Sequence, residues 1–179
     1  MAKSFSTRPK PSNNNSKIAF FVTLGVATVL FVVYFLMDSY RGFVGTVALF
    51  VLVTAVLIYT KFISPTFYYD VIAEEDETPL FVVRQITGKR ATTLCCIELA
   101  DIISIKRETK AEMREHKTPS DYKKYVYTPT LFPTEIYRIT VVSRYEKAEI
   151  IIEISEELCE VLRSLVIEAK ELRVNTEDE

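Results

Sequence analysis

Glycine is scarce in this chain, with four in 179 residues. Loops that cradle phosphate need glycine, because only a residue without Cβ lets backbone N–H groups crowd around an anion. No glycine-rich phosphate motif occurs. There is one histidine, His116, and no nucleophile stands in a pattern with a base. Catalytic and cofactor-binding residues are therefore expected to be none, and the chain is read as a non-enzyme. The three cysteines, Cys95, Cys96 and Cys159, do not make a disulfide framework. Cys95 and Cys96 are neighbours in an apparent strand and point to opposite faces. All three are expected to be small buried apolar residues of a reducing compartment. His116 lies in a charged loop without further ligands, so no metal site is expected.

Charge is missing from one long region. Residues 18–60 carry only Asp38 and Arg41, and the runs 18–37 (IAFFVTLGVATVLFVVYFLM) and 43–60 (FVGTVALFVLVTAVLIYT) carry none. At about 1.5 Å per residue the first reaches roughly 30 Å, the thickness of a bilayer's hydrocarbon core. Both runs are apolar all round, and the remaining chain is too small to enclose them as core helices. A cleaved signal is a poor fit, since the first run is too long and no small-residue site comes after it at Met37-Asp38-Ser39-Tyr40. The connection Asp38–Gly42 forces an antiparallel hairpin. Lys3, Arg8, Lys10 and Lys17 precede it and Lys61 comes after it, against Arg41 alone in the turn. That bias predicts a multi-pass protein of the cell membrane with both termini cytoplasmic and the lipid bilayer as its first partner. Gly45, Ala48 and Ala55 suggest a seam of small residues on the second span, which Gly25 and Thr28 of the first would approach.

Beyond the spans the balance turns acidic. From Phe62 onward 16 Lys and Arg stand against 23 Asp and Glu, a net of −7. Sequence-independent nucleic-acid binding relies on excess cations, so nucleic acid is not an expected partner. Composition divides the chain into a disordered basic tail (1–17), the two-helix transmembrane hairpin (18–60), a linker (61–65), a cytoplasmic domain (66–172) and an acidic tail (173–179). Within the domain, strands are predicted at 67–73, 80–87 and 92–99, with a turn at Gly88-Lys89 between the last two. A short strand is marked by Ile103 and Ile105, and others run over 122–127, 135–144 and 148–154. In the last, Ala148, Ile150, Ile152 and Ile154 face one way while Glu149 and Glu153 face the other, the pattern of a strand with one wet face. Period then changes, and Leu158, Val161, Leu162, Leu165, Ala169 and Leu172 fall on one side of a helix that Ser155 caps.

The stretch Ile97-Glu98-Leu99-Ala100-Asp101-Ile102-Ile103-Ser104-Ile105, with the strands before it, resembles the bacterial pleckstrin-homology-like domains. There an "Ile-x-Leu-x-Asp-Ile-x-x-Ile" phrase is common, and a pair of transmembrane helices often precedes the domain. The resemblance covers roughly residues 66–172. It implies an antiparallel barrel or sandwich of about seven strands capped by a C-terminal helix. An OB-type barrel is the rival fold, which the closing helix fits less well. Eukaryotic relatives of the fold bind phosphoinositide through cations at the first hairpin loop. Here that loop is Ala73-Glu74-Glu75-Asp76-Glu77-Thr78-Pro79, whose carboxylates would repel a polyphosphate, so no phosphoinositide is expected.

Two segments stand out as contact sites. Lys106, Arg107, Lys110, Arg114, Lys117, Lys123 and Lys124 give residues 106–124 a local +3 and make it a candidate for touching anionic lipid. The proline-bracketed Leu131 and Phe132 are a candidate protein-binding loop, whose restricted backbone lowers the entropy lost on docking. The expected function is a non-catalytic protein-binding or assembly module at the membrane, engaging a protein partner or further copies of itself. Sensing of the anionic membrane surface through residues 106–124 is the alternative.

Overall fold

The computed structural model of the chain describes residues 5–9, 14–37, 39–72, 78–144 and 146–177. Part of the basic tail, Asp38 of the hairpin turn, most of the acidic loop 73–79 and the last two residues lie outside the described residues. The chain divides into a helical unit, Asn13–Pro65 with Thr130–Phe132, and a sheet unit formed by Met1–Ser12, Thr66–Pro129 and Pro133–Glu179.

The helical unit holds α1 (Asn15–Leu36) and α2 (Arg41–Ile58), the latter continued by a π-helical turn at Tyr59–Ile63. Both helices are long and apolar enough to cross a membrane, and only 6 % and 11 % of their apolar windows is buried, unlike core helices of a soluble protein. Every threonine hydroxyl in them bonds back into its own helix. Thr23, Thr28, Thr46, Thr54 and Thr60 donate to the carbonyls of Ala19, Leu24, Gly42, Phe50 and Val56 at 2.6–2.9 Å. In hydrocarbon, where water cannot satisfy a hydroxyl, that local bond is the available solution. Ala48 and Ala55 are buried, as is Ala27 of α1, and a Cβ on Gly45 would come within 3.0 Å of the Tyr34 ring. The small-residue seam of α2 thus serves the hairpin's own packing. Its expected counterpart is corrected: a Cβ on Gly25 would meet nothing within 4 Å and Thr28 is exposed, so Ala27 takes that place.

The sheet unit contains two four-stranded sheets. The first has the order β1-β2-β3-β4, formed by Phe5–Thr7, Pro65–Ile72, Leu80–Thr87 and Arg90–Glu98. Phe5–Thr7 pairs antiparallel with β2, so the tail read as disordered supplies an edge strand. Gly88, at φ +61°, starts the two-residue turn between β3 and β4, the position where such hairpins require positive φ. A 3₁₀ turn, Leu99–Asp101, leads into the second sheet, whose order is β5-β7-β8-β6. These are Ile102–Thr109 (β5), Lys123–Tyr127 (β6), Glu135–Val142 (β7) and Lys147–Ile152 (β8). A short helix, α3 (Lys110–Glu115), comes directly after β5, and α4 (Glu156–Glu177) ends the chain.

Among the described residues neither sheet closes on itself or on the other, and the pairing is not all antiparallel. β6 runs parallel to β8, whereas β8 and β5 run antiparallel to β7. β5 and β6 therefore point the same way with two strands between them. A parallel connection needs a crossover of a dozen or so residues, and residues 110–122 supply it as a strap.

Inner faces of both sheets meet in one core. Phe67, Tyr69, Val71, Phe81 and Val83 come from the first sheet, and Tyr137, Ile139, Val141, Ile150 and Ile152 from the second. Tyr69 ties them together: its hydroxyl donates to the Tyr127 carbonyl at 2.7 Å and accepts from the Glu153 N–H at 3.4 Å. Burial pushes that phenol's pKa up, so it stays a neutral donor. One side of the core is covered by α4 through Cys159, Leu162, Val166 and Ala169. The expected helix face is thus rotated, and Val161 and Leu172 are exposed at 41 % and 53 %.

Candidate functional site

Between β4 and β6 the two sheets stand apart. Among the described residues β4 pairs only with β3, and β6 only with β8, so each offers a free strand edge. Both strands line one cleft of about 770 Å³, within the range of ligand-sized pockets. Leu94, Ile97, Val141, Ala148 and Ile150 give it apolar walls, and Thr78, Ser143, Arg144 and Arg173 stand among its polar groups.

A bulge shapes the β4 wall. Val83 faces Cys95 and Arg84 faces Thr93, which leaves Leu94 as the extra residue. Leu94 and Cys95 consequently both pack against the core, which successive residues of a regular strand cannot do. The β6 wall is aromatic, with the Tyr125 and Tyr127 rings stacked at 6.2 Å and 8°. Tyr127 reaches across and donates its O–H to the Leu94 carbonyl at 3.2 Å. A whole tyrosine side chain is needed to bridge the gap, so the edges stand wider apart than the ~4.8 Å of paired strands. At the rim, Glu146 accepts from Lys123 at 2.7 Å and from Tyr125 at 3.2 Å, while Arg173 of α4 donates to Glu98 at 2.6 Å and to Asp101 at 2.9 Å.

Burial, the neighbouring Cys96 and Glu146 together push the Cys95 thiol up to about 11. Burial likewise pushes the Tyr127 hydroxyl up to about 12. At neutral pH both are protonated and neutral, suited to contact rather than to nucleophilic attack. Cys96 is exposed, which corrects the expectation that it is buried, and Cys159 is buried in α4. Maleimide should therefore modify Cys96 first and Cys95 roughly a hundredfold more slowly than an ordinary thiol of pKa 9, with Cys159 reacting on unfolding. Timed labelling read by peptide mass spectrometry checks this, and equal rates at Cys95 and Cys96 would contradict it.

The predicted lipid-contact cations are not on one loop. Lys106 and Arg107 lie on β5, Lys110 and Arg114 on α3, Lys117 in the strap, and Lys123 and Lys124 on β6 at the opposite edge of the sheet. Arg107 pairs with Glu135 at 2.7 Å and Glu156 at 3.5 Å, and Lys123 pairs with Glu146. Lys106, Lys110, Arg114, Lys117 and Lys124 are exposed. Leu131 and Phe132 group with the helical unit. There the Leu131 N–H donates to Ser16 Oγ at 2.8 Å, and Phe132 is 56 % exposed.

Sequence patterning missed a charge cluster on the outer face of the second sheet. Arg138 (β7) and Glu149 (β8) alternate with core residues and read as solvent-facing, and Glu108 (β5) falls in the segment read as charged loop, yet they are 2 %, 4 % and 7 % exposed. Arg138 grips both oxygens of Glu108, each at 2.7 Å, and donates to Glu149 at 2.7 Å. The strap brings two more groups. Thr118 donates to Glu149 at 2.7 Å, and the His116 ring lies 3.0 Å from Glu149 through Nε2 and 3.5 Å from Glu108 through Nδ1. Burial alone would raise the Glu149 pKa, but the bonds from Thr118 and His116 and the Arg138 charge outweigh it and hold the carboxyl below its usual value. The one available signal was the length of the connection, since a crossover between parallel strands must cover a sheet face.

No family model matches this chain, and no curated protein or solved structure does. Its function rests on the geometry of the cleft and of the strap.

Proposed function

We propose that this chain is a membrane-anchored, non-catalytic binding module that takes a protein segment into the cleft between β4 and β6. The hairpin anchors it with both termini in the cytoplasm, as the Lys and Arg flanking the spans favour. The sheet unit is of the pleckstrin-homology-like kind, a reading supported by its two sheets and its C-terminal helix. One observation carries the functional reading: two free strand edges border a cleft of about 770 Å³ with aromatic and aliphatic walls. Free edges offer main-chain donors and acceptors, and alternate side chains of an incoming segment find pockets between the sheets.

A photoreactive residue introduced at Cys96 in the full chain tests this in cells. It should crosslink one protein species, of another chain or of a second copy, whereas the same residue at exposed Ile103 on β5 should not. Equal adduct patterns at the two positions, or none at Cys96, would sink the reading. Contact with anionic lipid is the second reading, favoured by the exposure of Lys106, Lys110, Arg114, Lys117 and Lys124. It predicts lipid adducts rather than protein adducts from probes placed beside those lysines.

A further inference from the structure

Crossovers in most sheets are held down by apolar burial. This one is not. From Lys110 to Tyr122 every side chain is exposed or only half-buried. The strap is tied instead by polar contacts. Thr109 and Glu112 form a capping box where it leaves β5. His116 and Thr118 reach the buried carboxylates in its middle. Near β6, Asp121 pairs with Lys147 at 2.9 Å, and the Lys147 ammonium sits 5.7 Å from the centre of the Tyr122 ring. A segment with little buried apolar area opens locally at small free-energy cost, so these ties decide how often it is closed.

We propose that the strap is a pH-responsive fastening pinned by His116, and that its release frees β6. The ring is faced by Glu108 from β5, Arg138 from β7, Glu149 from β8 and Thr118 from the strap itself, with Lys117 beside it and Lys124 of β6 in register with Glu149, both exposed. Among these buried groups two carboxylates meet one guanidinium. An imidazolium supplies the missing positive charge and has an N–H for each carboxylate. A neutral ring has one N–H and turns its other lone pair toward a carboxylate oxygen. Loss of the proton therefore removes one tie and leaves a negative charge uncompensated in a buried place. β6 comes directly after the strap and, among the described residues, pairs with β8 alone, so an open strap removes the anchor at the start of a strand held by one ladder. Tyr125 and Tyr127, the aromatic wall of the cleft, move with it. That last consequence rests on the cleft being the binding site; the fastening does not.

Hydrogen exchange of the full chain in lipid nanodiscs tests this between about pH 5 and about pH 8, the interval in which imidazole changes charge. After correction for intrinsic rates, opening of 110–122 should rise about threefold toward the alkaline end, the worth of one partly exposed charge contact, while the β3–β4 hairpin stays unchanged. His116→Gln should flatten the pH profile. Thr118→Val should raise opening at every pH and keep the profile, because it removes a tie and leaves the His116 ring in place. Equal protection at both ends in the native chain, or a profile that survives in His116→Gln, overturns the proposal. Opening of 110–122 with no change at Tyr125–Tyr127 overturns its extension to β6, and leaves the crosslinking test of the cleft to stand or fall separately.

Discussion

Replacing Arg138 with methionine is expected to destabilise the sheet unit by about 3–5 kcal/mol, the cost of leaving buried charge without its partner. The guanidinium is 2 % exposed and makes three hydrogen bonds of 2.7 Å to Glu108 and Glu149. Methionine fills much of the volume, so the loss is electrostatic rather than a cavity. Both carboxylates would then stand close together in a place water scarcely reaches, and the strap that rests on them would lift. Urea unfolding of the full chain in detergent micelles, monitored by circular dichroism, measures the change. The companion variant with Glu108→Gln and Glu149→Gln added should recover a large part of the loss, since an uncharged cluster has less to desolvate. A shift below about 1 kcal/mol in Arg138→Met alone, the range of an exposed ion pair, would mean that the cluster is solvated.

Leu99→Ala should cost about 2–5 kcal/mol, as large-to-small changes in a closed core do. Leu99 is 0 % exposed and sits in the 3₁₀ turn that carries the chain from one sheet to the other. Its N–H donates to the Pro79 carbonyl at 2.9 Å, which holds the turn against the start of β3 and limits how far the site can collapse around the void. The neighbouring Glu98 and Asp101 receive Arg173, so the same turn sets the rim of the cleft. Two readouts should therefore fall together: the urea midpoint of unfolding, and the yield of crosslinks from Cys96. Unchanged crosslinking in a chain that has lost several kcal/mol of stability would show that the cleft's shape does not depend on this turn.

Much of the secondary structure was legible in the chain's local patterns. Uncharged runs, the period-two spacing of Ala148, Ile150 and Ile152 and the change of period after Ser155 are local signals, and the elements these mark fall where expected. The harder errors share one cause. Arg138 and Glu149 obey the alternation of a strand with one wet face, but alternation says only that two faces differ. It does not say whether a later segment will cover the second. The same holds for α4, where Val161 and Leu172 are exposed and Val166 is buried instead, because the sheets select which flank of an amphipathic helix is covered. The bulge at Leu94 is invisible to a period-two reading, since it breaks that period by one residue.

The sequence alone determined the two apolar helices, the short turn between them, the acidic balance of the chain beyond Lys61 and the order of the strands beyond that point and of the final helix. Each depends on residues close together in the chain, where hydrophobic period and charge spacing act directly. Only the tertiary structure decided that β6 joins β8 in parallel, that a polar strap crosses the second sheet, and that β4 and β6 leave a cleft open between them. Those outcomes depend on which distant surfaces end up covering one another, and a buried charge looks like a solvated one until its cover is in place.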